Sequence, residues 1–177
     1  MKQARKTIAF MLPFWAMLAV FASDRTTATL SPADSEKLFQ VVSNAAFSDN
    51  YHVRTRDLLR RHDYDGDSDG KSIIVDSSLR GVQKVYVLIH EYSHSLLHYG
   101  QLSKVDSSRP DVDDDTAEYE AESIAHTVAR ALKVDDAASD EDPTPVPNAR
   151  PDLIQKGIDY MYHKIVSMSS WTTQILA

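Results

Sequence analysis

The chain has 177 residues, the length of one domain, and 42% of them are apolar, enough for an ordinary core. A formal charge of −7 argues against general nucleic-acid binding, which draws on broad basic surfaces. Cysteine is absent, which excludes disulfides, thiolate metal ligands and a lipoprotein cysteine.

The chain opens with Lys2, Arg5 and Lys6, followed by an uncharged run from Thr7 to Ser23 rich in Phe, Leu, Met and Ala. Residues 1–22 therefore have the layout of a signal peptide, with small residues near Ala22-Ser23. The run is short for a membrane span and carries Pro13. Cleavage predicts a secreted or cell-surface protein; an uncleaved segment predicts a membrane partner. A buried first helix or a start codon placed too far upstream are the other readings.

Residues 31–134 read as the main domain. Ser31-Pro32 starts a helix carried by Leu38, Val41, Val42, Ala45 and Ala46. A second helical stretch is expected from Val53 to Arg61, with Arg54-Thr55-Arg56 and Arg60-Arg61 as a solvated basic face. An Asp/Gly/Ser loop follows, from His62 to Gly70, and Ser72-Ile73-Ile74-Val75 reads as a strand. That strand could pair with an extended peptide substrate or serve as an ordinary core strand. Leu79 to Tyr99 reads as a helix with Val82, Val85, Ile89 and Leu96 on its apolar side and Gly100 as terminator. After a polar loop, Asp115 with Glu118 three residues on reads as a helix start, and the helix runs to about Val134. Residues 135–151 are rich in Pro and Asp and read as an exposed linker. Residues 152–177 return to helical spacing through Ile154, Ile158, Met161, Ile165 and Met168.

The Leu79–Tyr99 helix carries His90-Glu91-Tyr92-Ser93-His94, the pattern H-E-x-x-H. Residues four apart share a helix face, so both imidazoles can grip one metal ion, most often Zn²⁺, while Glu91 reaches the water bound to it. The reaction class this suggests is metal-assisted hydrolysis of peptide bonds, with Glu91 as general base. Of 26 acidic residues only six are Glu, and three of these lie together as Glu118, Glu120 and Glu122. That cluster follows His94 by 24 to 28 residues and is the place for a third ligand. Glu118 and Glu122 share a face; Glu120 points elsewhere, solvated or capping the helix; spacing alone does not choose among the three. His98 continues the His90, His94 series, one turn too far to share the ion, and reads as a supporting or cleft residue. His126 reads as a packed histidine, or alternatively as an oxyanion donor. Gly100 stands where the longer metzincin pattern needs its third His.

These residues resemble the ImmA/IrrE family of zinc metallopeptidases and the related peptidase domain of ArdC-type antirestriction proteins. The likeness covers roughly residues 70–134. It rests on Ser72-Ile73-Ile74-Val75, on Gln83-Lys84, on Leu88-Ile89-His90-Glu91-Tyr92-Ser93-His94-Ser95-Leu96-Leu97-His98, and on Glu118-Tyr119-Glu120-Ala121-Glu122-Ser123-Ile124-Ala125. It implies an α+β, mostly helical, zincin-like (gluzincin) domain with a small sheet. It implies Glu118 as the ligand, three residues before Ala121, and Glu122 as an acidic residue that supports the ligands. It also implies a narrow-specificity endopeptidase acting on a protein or peptide, cytoplasmic as its relatives are, some of which cleave a repressor. The chain departs from them in its export-like start, in the lack of an evident helix-turn-helix, and in the 135–177 tail.

Rival readings are a catalytically inactive module or a calcium-binding one. Asp65, Asp67, Asp69, Gly70 and Asp76 fall at positions 1, 3, 5, 6 and 12 of an EF-hand-like loop. Position 12 is usually Glu, and a strand rather than a helix follows Gly70. The alternative for this loop is a solvated turn.

Overall fold

The computed structural model describes residues 30–58, 64–100, 102, 112–134 and 142–168. The apolar run at 1–22 lies outside these residues, as does the end of the expected C-terminal helix. Among the described residues no helix is long and apolar enough to cross a membrane. Among the described residues the architecture is α+β, with four helices and a small mixed sheet.

Helix α1 (Pro32–Ser48) starts as expected, with the Ser31 hydroxyl accepting from Asp34 N–H and Pro32 in the first turn. It buries Leu38, Phe39, Val42, Ala45 and Ala46. Asn50 then adopts a left-handed φ of 69°, a conformation Asn tolerates and a helix does not. The chain leaves that turn as strand β1 (His52–Arg56), not as the second helix expected from Val53. Val53 and Thr55 are β-branched, and the strand gains a parallel partner whose register runs from His52↔Ser72 to Arg56↔Asp76. Arg54 and Arg56 are exposed on this edge strand, and Arg60 and Arg61 of the basic strip lie outside the described residues.

Strands β2 (Gly66–Ser68) and β3 (Ser72–Asp76) form an antiparallel hairpin turned by Gly70 at φ 78°. The sheet order is β1-β3-β2. Strand β3 is therefore central, its hydrogen bonds taken on both sides, and it cannot pair with a substrate. The two edges of the sheet belong to β1 and β2. The residues of the EF-hand-like pattern form this hairpin, and among the described residues they make no group of three converging ligand atoms. Asp69 Oδ1 accepts from Lys71 N–H at 2.8 Å and Ser72 N–H at 2.7 Å. Buried Asp76 accepts from Leu58 N–H at 2.5 Å and Ser78 N–H at 2.7 Å. Carboxylates so engaged with backbone do not converge on an ion.

Helix α2 (Gly81–His94) is the motif helix, and its last turn widens into a π-helical segment, Ser95–Tyr99. Its buried side, Val85, Leu88, Ile89, Tyr92, Leu96 and Leu97, packs against α1, the sheet and helix α3 (Asp114–Ala131). Helix α3 is capped by Asp113, which accepts from Thr116 N–H at 2.8 Å, and not by Asp115. The cap two residues earlier leaves Glu118 free of any capping role. Helix α4 (Pro151–Ser167) lies on α3 and touches α1 and the π-helical turn, burying Ile154, Met161 and Ile165.

Candidate metal centre

Two helices build the site. On α2 the face opposite the core carries His90 and His94; α3 crosses it and brings Glu118 and Glu122 alongside. His90 Nε2 and His94 Nε2 are 3.1 Å apart. Glu118 Oε2 lies 3.4 Å from His90 Nε2, and Glu118 Oε1 lies 3.4 Å from His94 Nε2. Ligands roughly 2.0–2.1 Å from a tetrahedral Zn²⁺ stand about 3.3–3.4 Å from one another. Three electron-pair donors thus already converge at the spacing of one ion. They are the only group of three or more His, Asp or Glu side chains among the described residues that converges in this way.

The second nitrogen of His90 is held from behind. Nδ1 faces Glu122 Oε2 at 2.9 Å, and the other Glu122 oxygen accepts from the Tyr86 hydroxyl. Donation from Nδ1–H to a carboxylate fixes the tautomer and leaves Nε2 with its lone pair toward the metal position. Tyr86 lies one turn before His90 on the same face, so helical spacing alone could have nominated it.

The electrostatics follow from this crowding. Burial works against a charge on His90, yet hydrogen bonds to Glu118 and Glu122 outweigh it and raise the imidazole to about 9. Hydrogen bonds from His90 and His94 hold the Glu118 carboxyl far below the usual range. Glu122 is also held low: burial opposes its charge, but His90 and Tyr86 prevail. Glu91 goes the other way. It is buried, and desolvation raises its carboxyl although His90 and His94 pull against it. A carboxyl raised by burial beside a metal position suits a proton acceptor better than a ligand.

The remaining expected residues lie apart from the triad. Glu120 is neither solvated nor a cap. It is fully buried and faces Arg150, which donates through N–H at 2.8 Å, Nε at 2.8 Å and a terminal nitrogen at 2.5 Å. It is not placed to ligate. The His98 ring lies tilted 5.4 Å from the His94 ring, and its buried Nε2 has no hydrogen-bond partner among the described residues. Burial, reinforced by His94, lowers His98 to about 4, so the ring is neutral. His126 is buried, with Nδ1 3.7 Å from Asp142, consistent with a packed residue.

Residues 142–150, expected to be part of an exposed linker, have no helix or strand, expose Asp142, Thr144, Pro145, Pro147 and Asn148, and run along α3. Arg130 and His126 face Asp142, Asn148 Nδ2 donates to Asp113 at 3.5 Å, and Arg150 closes on Glu120. The segment walls an open cleft of about 540 Å³, where Pro143, Thr144 and Val146 face His90, Glu118 and Glu122 across Tyr119. The Arg150–Glu120 ion pair spans thirty residues of sequence, and no local pattern signals it.

No family model matches this chain, and no curated protein or solved structure matches it either.

Proposed function

We propose that the protein is a zinc-dependent metallopeptidase of zincin type, similar to the ImmA/IrrE group, with His90, His94 and Glu118 as ligands. The observation that carries this reading is the 3.1–3.4 Å triangle of donor atoms with Glu91 beside it. The donor set, two neutral imidazoles and one carboxylate, is the one catalytic zinc favours, leaving a fourth position open. A Zn²⁺ ion held there supplies Lewis acidity, polarising a carbonyl and lowering the pKa of a bound water.

The chain's own residues do the rest. Glu122 and Tyr86 hold the His90 ring in the orientation that presents Nε2. Glu91, kept basic by burial, takes the proton of the attacking water and returns it to the leaving amine. The cleft between α3 and the 142–150 segment admits a side chain of the substrate, with an apolar wall at Pro143 and Val146 and carboxylates at Asp115 and Glu118. A narrow-specificity protein or peptide substrate fits this walled entrance.

The test is a pair of measurements on the purified chain. Zinc should bind one to one, and Glu91→Gln should keep that zinc while losing proteolysis by roughly 100-fold or more. Wild-type cleavage rates in the Glu91→Gln variant would sink the assignment of the base; a chain that takes up no zinc would sink the metal centre.

A further inference from the structure

The carboxylate of Glu91 lies against the backbone of β2. A Cβ placed on Gly66 would stand 2.6 Å from Glu91 Oε1, 2.7 Å from Glu91 Cγ and 2.8 Å from Val87 Cγ1. All three are well inside the contact distance of carbon and oxygen atoms. Conformational freedom is not what this position uses. The positive-φ glycines among the described residues are Gly70 and Gly81, whereas Gly66 is ordinary strand, paired with Val75. Its neighbour Asp67 adds a negative charge that helps raise the Glu91 carboxyl. Glycine inside a strand marks a close approach by something else, and here that something is the general base.

We infer that Gly66 is a positioning residue for Glu91: the volume its side chain lacks is where the carboxylate sits beside His90 and His94. The inference rests on the peptidase reading for its consequence, but the packing is independent of it. A methyl group at position 66 meets Glu91 and Val87 first, and none of its three nearest atoms belongs to His90, His94 or Glu118. Of the atoms met, Glu91 Oε1 is the far end of a flexible side chain, whereas Glu91 Cγ and the γ-carbon of β-branched Val87 have less room to give, so Gly66→Ala also presses on α2 at Val87. Ion binding and placement of the base are therefore separable.

The experiment uses the full chain loaded with Co²⁺ and titrated with acetohydroxamic acid, read by the visible absorption of cobalt. A hydroxamic acid chelates through two oxygens and gives up a proton to a neighbouring base, so its affinity reports the base without any substrate. Gly66→Ala should bind Co²⁺ with unchanged stoichiometry and weaken acetohydroxamate by roughly 10- to 100-fold, the scale of a 1 Å misplacement. Glu91→Gln should weaken it comparably, and the double variant no further than the weaker single one, because both act through one group. A metal-free readout runs beside it: Gly66→Ala should lower the unfolding midpoint in the wild-type background and lower it less with Glu91→Ala. Should Gly66→Ala alone not fold, its rescue by Glu91→Ala supports the contact and absence of rescue overturns it. Wild-type hydroxamate affinity in Gly66→Ala, or multiplying effects in the double variant, overturns the role of Gly66 alone. A wild-type chain that binds no Co²⁺ overturns the metal centre together with it.

Discussion

Helix α2 carries two polar clusters on opposite faces, and they are built on different terms. On the inner face Tyr92 donates its hydroxyl to Asp49, which also accepts from Tyr160 at 2.8 Å and from Lys164 Nζ at 2.7 Å. One buried carboxylate there has three donors, one of them a cation, and the cluster is complete. On the outer face His90, His94 and Glu118 direct acceptor atoms at one another across 3.1–3.4 Å. Without an ion, only protons relieve that crowding. Completeness marks a fastening; converging lone pairs mark a place for a cation.

The largest expected effect separates the two directly. Glu118→Ala should weaken zinc binding by more than roughly 100-fold, beyond the range of a residue that only supports a ligand. Without metal its thermal stability at neutral pH should fall, because the hydrogen bonds from His90 and His94 to this carboxylate are lost. Asp49→Ala should differ in its effect on zinc: it leaves Lys164 without its buried partner and should cost about 3 kcal/mol in denaturant unfolding, with zinc stoichiometry intact. Loss of zinc in Asp49→Ala would show the two faces to be one unit.

Glu122→Gln comes next. It keeps the shape but removes the charge behind His90, and zinc affinity should fall about 10- to 100-fold by competition with a chelator. An unchanged affinity would mean that the Glu122–His90 contact does not tune the ligand.

The smallest effect is in pH. His90 is raised to about 9 in the folded, metal-free chain against an ordinary 6.5. Its contribution is therefore full below about pH 6.5 and is lost as pH rises through about 9. Glu118 and Glu122 are depressed, so theirs is present above their ordinary pKa of 4.5 and lost as pH falls toward their folded values. The metal-free unfolding midpoint should decline from pH 6.5 to 9, and the zinc-loaded protein should lack that decline because the ion replaces the proton. Zinc uptake at pH 7.5 should accordingly release a proton, seen as a buffer-dependent heat in titration calorimetry.

What could be read from the sequence is what the helical period controls. His90, Glu91 and His94 are on one short segment, and Glu118 and Glu122 are one turn apart, so the α2 and α3 faces follow once both helices are recognised. Choosing among the three glutamates took the resemblance, and the geometry now separates them: Glu118 sits among the donors, Glu122 behind His90, and Glu120 beneath Arg150. Strand β1 was hidden because five residues with two arginines carry no strong period of either kind; its pairing with β3 decides the matter. The partner of Glu120 and the cleft wall at Pro143 depend on a return of the chain after about thirty residues, which local spacing does not encode. Gly66 carried no signal because its contribution is an absence of atoms.

The Arg150–Glu120 pairing also fixes how small this protein can be made. A fragment ending near residue 134 would keep every proposed ligand and the base, and by its motifs alone would look self-sufficient. It would also strand a fully buried carboxylate two residues from Glu118, with no cation to neutralise it and no α4 to cover Ile124 and Leu97. Arg150 and α4 are thus a condition of the domain's autonomy, and excising them should dismantle the site from beneath.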